Sequence, residues 1–200
     1  MNQSSTKPRP TLATLEPLIW EWAADWDLID AEGKPLEATP MTQFGKTVEE
    51  IGEARYARLF VDLWCSAQGG NSQQDCIEAQ NNYALELGDI LVTLSILCRM
   101  LGTSLEQSIR DISNCPQLYL RGVKPWTFDY IDHWAEEVQR EIIQGVGPFR
   151  PMIGVLCRCV QDSAHIQLSM SAAECLELAW LKIKDRQGET VGGVFVKAEK

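Results

Sequence analysis

The sequence predicts an all-α protein, a helical bundle with an irregular C-terminal tail. Three observations carry that expectation. Apolar residues recur at intervals of three and four through most of the chain, the spacing of one helix face. Between those runs stand Gly, Pro, Ser and Thr at positions where helices start and stop. No succession of short alternating segments suggests a sheet of several strands. A chain of 200 residues, 45% hydrophobic and 23% charged, is long enough for one domain with a sizeable core.

Residues 1–10 are polar and rich in proline, and read as an arm. The domain proper is expected over 11–200. Thr11 to Ile29 has helical periodicity and three tryptophans, Trp20, Trp22 and Trp26. They suit core packing, or the stacking of one ring on a base. Asp30 to Pro40 is a loop holding Gly33, Pro35 and Pro40, and Thr39 or Thr42 can cap the next helix, about Met41 to Ala67. Gln68 to Gln74 reads as a turn region. A helix from about Ile77 to Leu101 follows, with Gly102 in a C′ position. Ser104 to Ile112 is a short helix, and Cys115 to Lys124 a linker. Trp126 to Gln144, Arg150 to about Ile166, and Ser171 to Arg186 complete the helices. The last opens on the capping box Ser171-x-x-Glu174. Gly188 to Lys200 is an extended, looped tail. Glu136-Glu137 and the apolar Met152 to Cys159 weakly echo the earlier helices, as a degenerate second hairpin at 115–170 would.

Charge and cysteine usage narrow the function classes. A net charge of −10 argues against a general nucleic-acid binder, which needs a basic face. Seven cysteines without framework spacing suit free buried thiols in a reducing cytosol. Cys157 and Cys159 point to different faces of a helix, a poor start for a zinc site. The N-terminus has no apolar core of a signal peptide, and Ile90 to Cys98 is too short to span a bilayer. A soluble, cytoplasmic protein with no membrane partner is expected.

Two acidic signatures hold the chemistry. Glu49-Glu50-Ile51-Gly52-Glu53 puts Glu50 and Glu53 on one helix face, on a stripe with Gln43, Lys46 and Ala57. Glu86-Leu87-Gly88-Asp89 aligns Glu86 with Asp89. Around that second pair Leu87, Leu91, Leu94, Cys98 and Leu101 form one apolar seam, and Leu85, Val92 and Ile96 another roughly opposite. A helix apolar on two sides is central and buried. Carboxylates on such a helix must neutralise, pair, or bind a cation. If the two stripes face each other, four carboxylates meet in a dry groove, which calls for a hard divalent cation, Mg²⁺ or Mn²⁺.

The ordered pairs Gln43-x-x-Lys46-x-x-Glu49-Glu50-x-x-Glu53 and Glu86-x-x-Asp89 resemble the MazG-like proteins of the all-α nucleotide pyrophosphohydrolase superfamily. So does the closing stretch Ala179 to Gly188 followed by Gly193-Val194-Phe195-Val196-Lys197, which is similar to small phage and bacterial members. The likeness covers roughly 12–112 and 171–198. It departs in a longer spacer between the acid pairs, in the extra helices at 115–170, and in Leu181 where the family often has asparagine.

The resemblance implies hydrolysis of a nucleoside triphosphate between its α and β phosphates, giving the monophosphate and pyrophosphate. It implies Mg²⁺ held by Glu50, Glu53, Glu86 and Asp89, and Glu49 and Glu50 as the catalytic acids. Gln43, Lys46, Lys182, Lys184 and Arg186 would meet the substrate, and a homodimer or larger homo-oligomer would form. For Lys182, Lys184 and Arg186, complementing a helix C-terminus is the competing reading. Clustered carboxylates suit such chemistry without a nucleophilic Ser, Cys or His.

No G-x-x-x-x-G-K-[ST] loop is present, which excludes a P-loop enzyme. A di-iron carboxylate bundle needs Glu-x-x-His twice, and neither His133 nor His165 has Glu three residues before it. The remaining alternative is a silent helical module that binds nucleotide or protein without turnover.

Overall fold

The computed structural model describes residues 9–65, 72–112, 114, 128–145 and 149–198. Seven α-helices and one small hairpin lie among them: α1 (Leu12–Asp25), α2 (Pro40–Trp64), α3 (Gln73–Met100), α4 (Leu105–Ile112), α5 (Ile131–Gln144), α6 (Phe149–Leu168), α7 (Ala172–Ile183), β1 (Gly188–Val191) and β2 (Val194–Lys197). A 3₁₀ turn, Phe128–Tyr130, leads into α5. The all-α bundle is as expected. Most of the predicted arm, residues 68–71 of the expected turn region, and the Cys115 to Lys124 linker with Trp126 lie outside the described residues, while Gln73 and Gln74, expected in that turn, open α3.

Local chemistry sets the helix ends. Thr11, Ser72 and Ser171 each close a capping box, with Thr14, Asp75 and Glu174 respectively. The box at Ser72 starts α3 four residues before the apolar periodicity would. Thr39 caps α2, with Pro40 in the first turn, where its missing N–H costs nothing. α1 stops at Asp25 rather than running to Ile29. Asp27 takes a left-handed φ of 55°, which aspartate tolerates better than most residues. Leu28 and Ile29 are still buried, but from the loop, where Ile29 bridges Pro35.

α3 is the axis. From Leu87 to Cys98 every residue is buried, as the two opposed apolar seams require. α2 lies antiparallel to it. Cys65 at the end of α2 meets Cys76 in the first turn of α3, and further along the Gln43 amide donates to the Thr93 carbonyl at 3.0 Å. On another side α7 approaches so closely that a Cβ on Gly88 would lie 2.1 Å from the Cys175 carbonyl oxygen. α6 meets α4 in the same way at Gly154. The expected second hairpin is present as α5 and α6, tied to α2 by ion pairs of Arg55 with Asp132 and Arg58 with Asp129.

Cys65 and Cys76 form a disulfide, which corrects the expectation that all cysteines are free thiols. The reason is tertiary. The antiparallel pairing of α2 and α3 brings two residues eleven apart to a Cα separation of 5.1 Å. Cys98, Cys157, Cys159 and Cys175 are free and buried, as expected. No helix among the described residues is long and apolar enough to cross a membrane.

The tail forms an antiparallel hairpin with Val191 opposite Val194. Gly192 and Gly193 take φ of 58° and 79° at its turn, a geometry that matches the strand twist and favours glycine. Phe195 anchors the hairpin by meeting Trp22 and Trp26 edge-on, at centroid distances of 5.1 and 5.0 Å.

Candidate functional site

A cleft of about 260 Å³ opens where α2, α3, α7 and the hairpin converge. Part of the lining is charged. α2 contributes Lys46, Glu49, Glu50 and Glu53 from a single face, α3 contributes Asp89, and the end of α7 contributes Lys182 and, just beyond it, Arg186. The apolar part of the lining is Trp22, Leu28, Val92, Ile96, Ile183, Val194 and Phe195.

The two acid stripes do face each other. One carboxylate oxygen each from Glu50, Glu86 and Asp89 lies within 4.8 Å of the other two. Glu53 lines the same cleft one turn along α2 and adds its charge to the fields at Glu50 and Glu86. Burial pushes the Glu50 carboxyl up to about 7, and the neighbouring Asp89 and Glu53 charges add to the rise. Burial also raises Glu86, against the pull of Lys182. Asp89 is paired: the Lys182 ammonium donates to it at 2.6 Å. Burying like charges together costs energy unless a counter-charge enters. Burial thus favours the neutral form of Glu50 and Glu86, and Asp89 is paired with Lys182.

No protein-family model, curated protein or solved structure matches this chain.

The donor set suits a hard divalent cation. It consists of oxygen ligands from two facing helices, and Oε2 of Glu86 is buried without a hydrogen-bond partner. Among the described residues this is the group of three or more metal-ligating side chains close enough to share an ion. Cys157 and Cys159 form no such group.

The other predicted site residues divide. Lys46 donates to Glu49 at 2.6 Å and lies 3.9 Å from Glu50, at the mouth of the cleft. Glu49 is the more exposed acid there, its side chain 55% accessible. Gln43 is buried, and its amide N–H is spent on Thr93, so part of its role is to lock α2 to α3. Arg186 reaches the cleft, whereas Lys184 does not line it and sits 3.9 Å from Asp185. Leu181 is half exposed and outside the lining.

Two participants were not legible. The Asp89–Lys182 pair joins residues far apart in sequence, and nothing local announces it. Among the three tryptophans it is Trp22 that reaches the cleft, while Trp20 donates to the carbonyl and hydroxyl of Ser95. The Gly192-Gly193 dipeptide was the available signal for the hairpin that delivers Phe195.

Proposed function

We propose that this protein is a Mg²⁺-dependent nucleoside triphosphate pyrophosphohydrolase, of the MazG-like type that its sequence resembles. The observation that carries the reading is the convergence of Glu50, Glu86 and Asp89: Glu50 and Asp89 line a cleft that also holds Lys182 and Arg186, and Glu86, not itself a lining residue, brings a carboxylate oxygen within 4.8 Å of theirs. A triphosphate needs such a mixture: acids for a cation, and bases for the phosphate oxygens left over. The apolar part of the lining is of a kind that accepts a ring.

Glu50, Glu86 and Asp89, with Glu53 beside them, would hold the ion. When bound, Mg²⁺ would neutralise charge on phosphate oxygens and polarise the attacking water. Lys182 and Arg186 bind and orient the phosphates, and Lys46 adds positive charge at the mouth. The ionised form of Glu50 and the solvent-facing Glu49 are the groups that could take the water's proton. Lys182 has a second task, since it neutralises Asp89 until substrate draws its ammonium away.

The test is product analysis by ion-exchange chromatography. The protein is incubated with each canonical NTP and dNTP in Mg²⁺, in Mn²⁺ and in EDTA. Monophosphate plus pyrophosphate, abolished by EDTA, supports the reading. Diphosphate plus phosphate rejects α–β cleavage.

One observation favours a second reading, a helical module that binds without turnover. The 2.6 Å Lys182–Asp89 pair already supplies the cluster with an internal cation. Calorimetric titration separates the two. If Mg²⁺, titrated in the presence of a non-hydrolysable triphosphate, binds only after Lys182→Ala, the module reading wins.

Two further parts of the proposal concern assembly and place. Tyr56, Leu59 and Leu63 form an exposed apolar face on α2, 59–65% accessible, suited to a second copy of the chain. Light scattering on a size-exclusion column reports the oligomer. A nucleoside triphosphate substrate goes with a cytoplasmic location, and the Cys65–Cys76 disulfide is unusual for that compartment.

A further inference from the structure

Trp22, one of the apolar residues lining the cleft, carries a buried hydrogen-bond donor with nothing to donate to. Trp22 lines the cleft and is 8% exposed, and its indole Nε1–H has no partner. A buried donor left unmade is costly, so chains normally supply an acceptor, as this one does for Trp20 with the carbonyl and hydroxyl of Ser95. The Nε1–H of Trp134 is also unpartnered, but that ring is fully buried and does not line this cleft. Trp22 differs in its position beside a space large enough for a ligand.

The indole is also fixed in direction. Phe195 meets it at an interplanar angle of 61°, and the same Phe195 ring leans on Trp26 at 62°. An aromatic neighbour accepts an N–H far more weakly than a carbonyl oxygen or a ring nitrogen does. Phe195 is carried on a two-stranded hairpin, so its ring can give way to an entering group without disturbing the helices.

We propose that Trp22 is a specificity-determining residue of this cleft. Its indole N–H donates to a carbonyl oxygen or unprotonated ring nitrogen on a planar heteroaromatic ligand, whose ring displaces Phe195 from the indole. The identity of that ring as a nucleobase rests on the nucleotide reading above. The charged part of the lining, with Lys182 and Arg186, receives the phosphates. A ring lacking an acceptor at that edge leaves the donor unpaired and is rejected. Sites built around a buried donor discriminate strongly on this ground.

The experiment uses the full chain with ¹⁵N-labelled tryptophan. The indole N–H signal of Trp22 is assigned by its loss in Trp22→Phe. The probes are the α,β-imido analogues of the four canonical dNTPs and of abasic deoxyribose triphosphate, with Mg²⁺. The expected result is that at least one base analogue moves the Trp22 signal and the abasic analogue does not. Trp22→Phe should weaken that base analogue about tenfold, the weight of one neutral hydrogen bond, and leave the abasic analogue unchanged.

A base analogue that binds with the Trp22 signal unmoved overturns the inference, and so does failure of every analogue to bind. If Trp22→Phe does not fold, the Trp22 signal is assigned by elimination with Phe variants of the six other tryptophans, and its response in the unaltered protein decides. Hydrolysis is scored separately. Turnover with a silent Trp22 sinks this inference and keeps the pyrophosphohydrolase reading. A shifted Trp22 signal with no turnover does the reverse.

Discussion

Glu50, Glu86 and Asp89 repel one another across a gap of less than 5 Å, and burial amplifies the repulsion. Removing one charge should therefore split function from stability. Glu50→Gln, Glu53→Gln, Glu86→Gln and Asp89→Asn are each expected to lower kcat/KM for triphosphate by about 100-fold or more, measured by pyrophosphate release. Glu50→Gln should at the same time raise the melting temperature at pH 8, where the wild-type carboxyl is forced to ionise.

Glu16 is a buried acid outside the cleft. It accepts the Leu105 N–H at 2.7 Å and so caps α4 from α1. Burial pushes it up to about 7, with the nearby Glu106 charge adding slightly. Its folded pKa lies above its unfolded one, so the folded state holds the extra proton between them. Stability is therefore lost as pH rises from about 4.5 to about 7, at about 1.4 kcal/mol per unit of separation. Glu50 acts in the same direction. Thermal unfolding from pH 4.5 to 8 should fall less steeply for Glu16→Gln, and a slope equal to wild type would contradict the assignment.

At the scale of elements, one close helix approach positions the cleft. Gly88 lies between Glu86 and Asp89, and it lets α7 come near enough for Lys182 to reach Asp89. Gly88→Ala should push α7 away, because the obstructing atom is backbone and cannot rotate aside. The expected cost is about 1–3 kcal/mol of stability in urea denaturation, with a loss of activity beyond what the residual fold explains. Cys157→Ser, deep in α6 and away from the cleft, should leave activity intact. The acid-bearing elements were legible because each carries its own signals, Pro40 after Thr39 on α2 and two apolar seams on α3, whereas the Ser72 box that starts α3 lies in the stretch expected to be a turn. The C-terminal end of α1 was not. Leu28 and Ile29 continue the apolar periodicity, yet they are buried by a loop that folds back, and periodicity registers burial rather than the backbone that achieves it.

For the molecule as a whole, the helical hairpin of α2 and α3 is the frame, and its far end is closed by Cys65–Cys76. Cross-linking so short a loop limits the unfolded chain, and reduction should cost roughly 2–3 kcal/mol. Calorimetry with and without a phosphine reductant measures this. An unchanged melting temperature would mean that the bond adds nothing to the frame. The effect on kcat should be smaller than that of Gly88→Ala, because the bond lies several helical turns from the acids.

The sequence by itself determined the all-α class, the central buried helix and the two acid stripes, since each depends on spacing within one helix, where i and i+3 share a face regardless of what packs outside. Only the tertiary structure decided which side chains meet. The pairing of Lys182 with Asp89, the entry of Trp22 and Phe195 into one cleft, the exclusion of Lys184 from it and the joining of Cys65 to Cys76 all depend on how separate elements dock. Docking is governed by close approach at residues such as Gly88 and Gly154, whose effect exists only when the opposing backbone is in place.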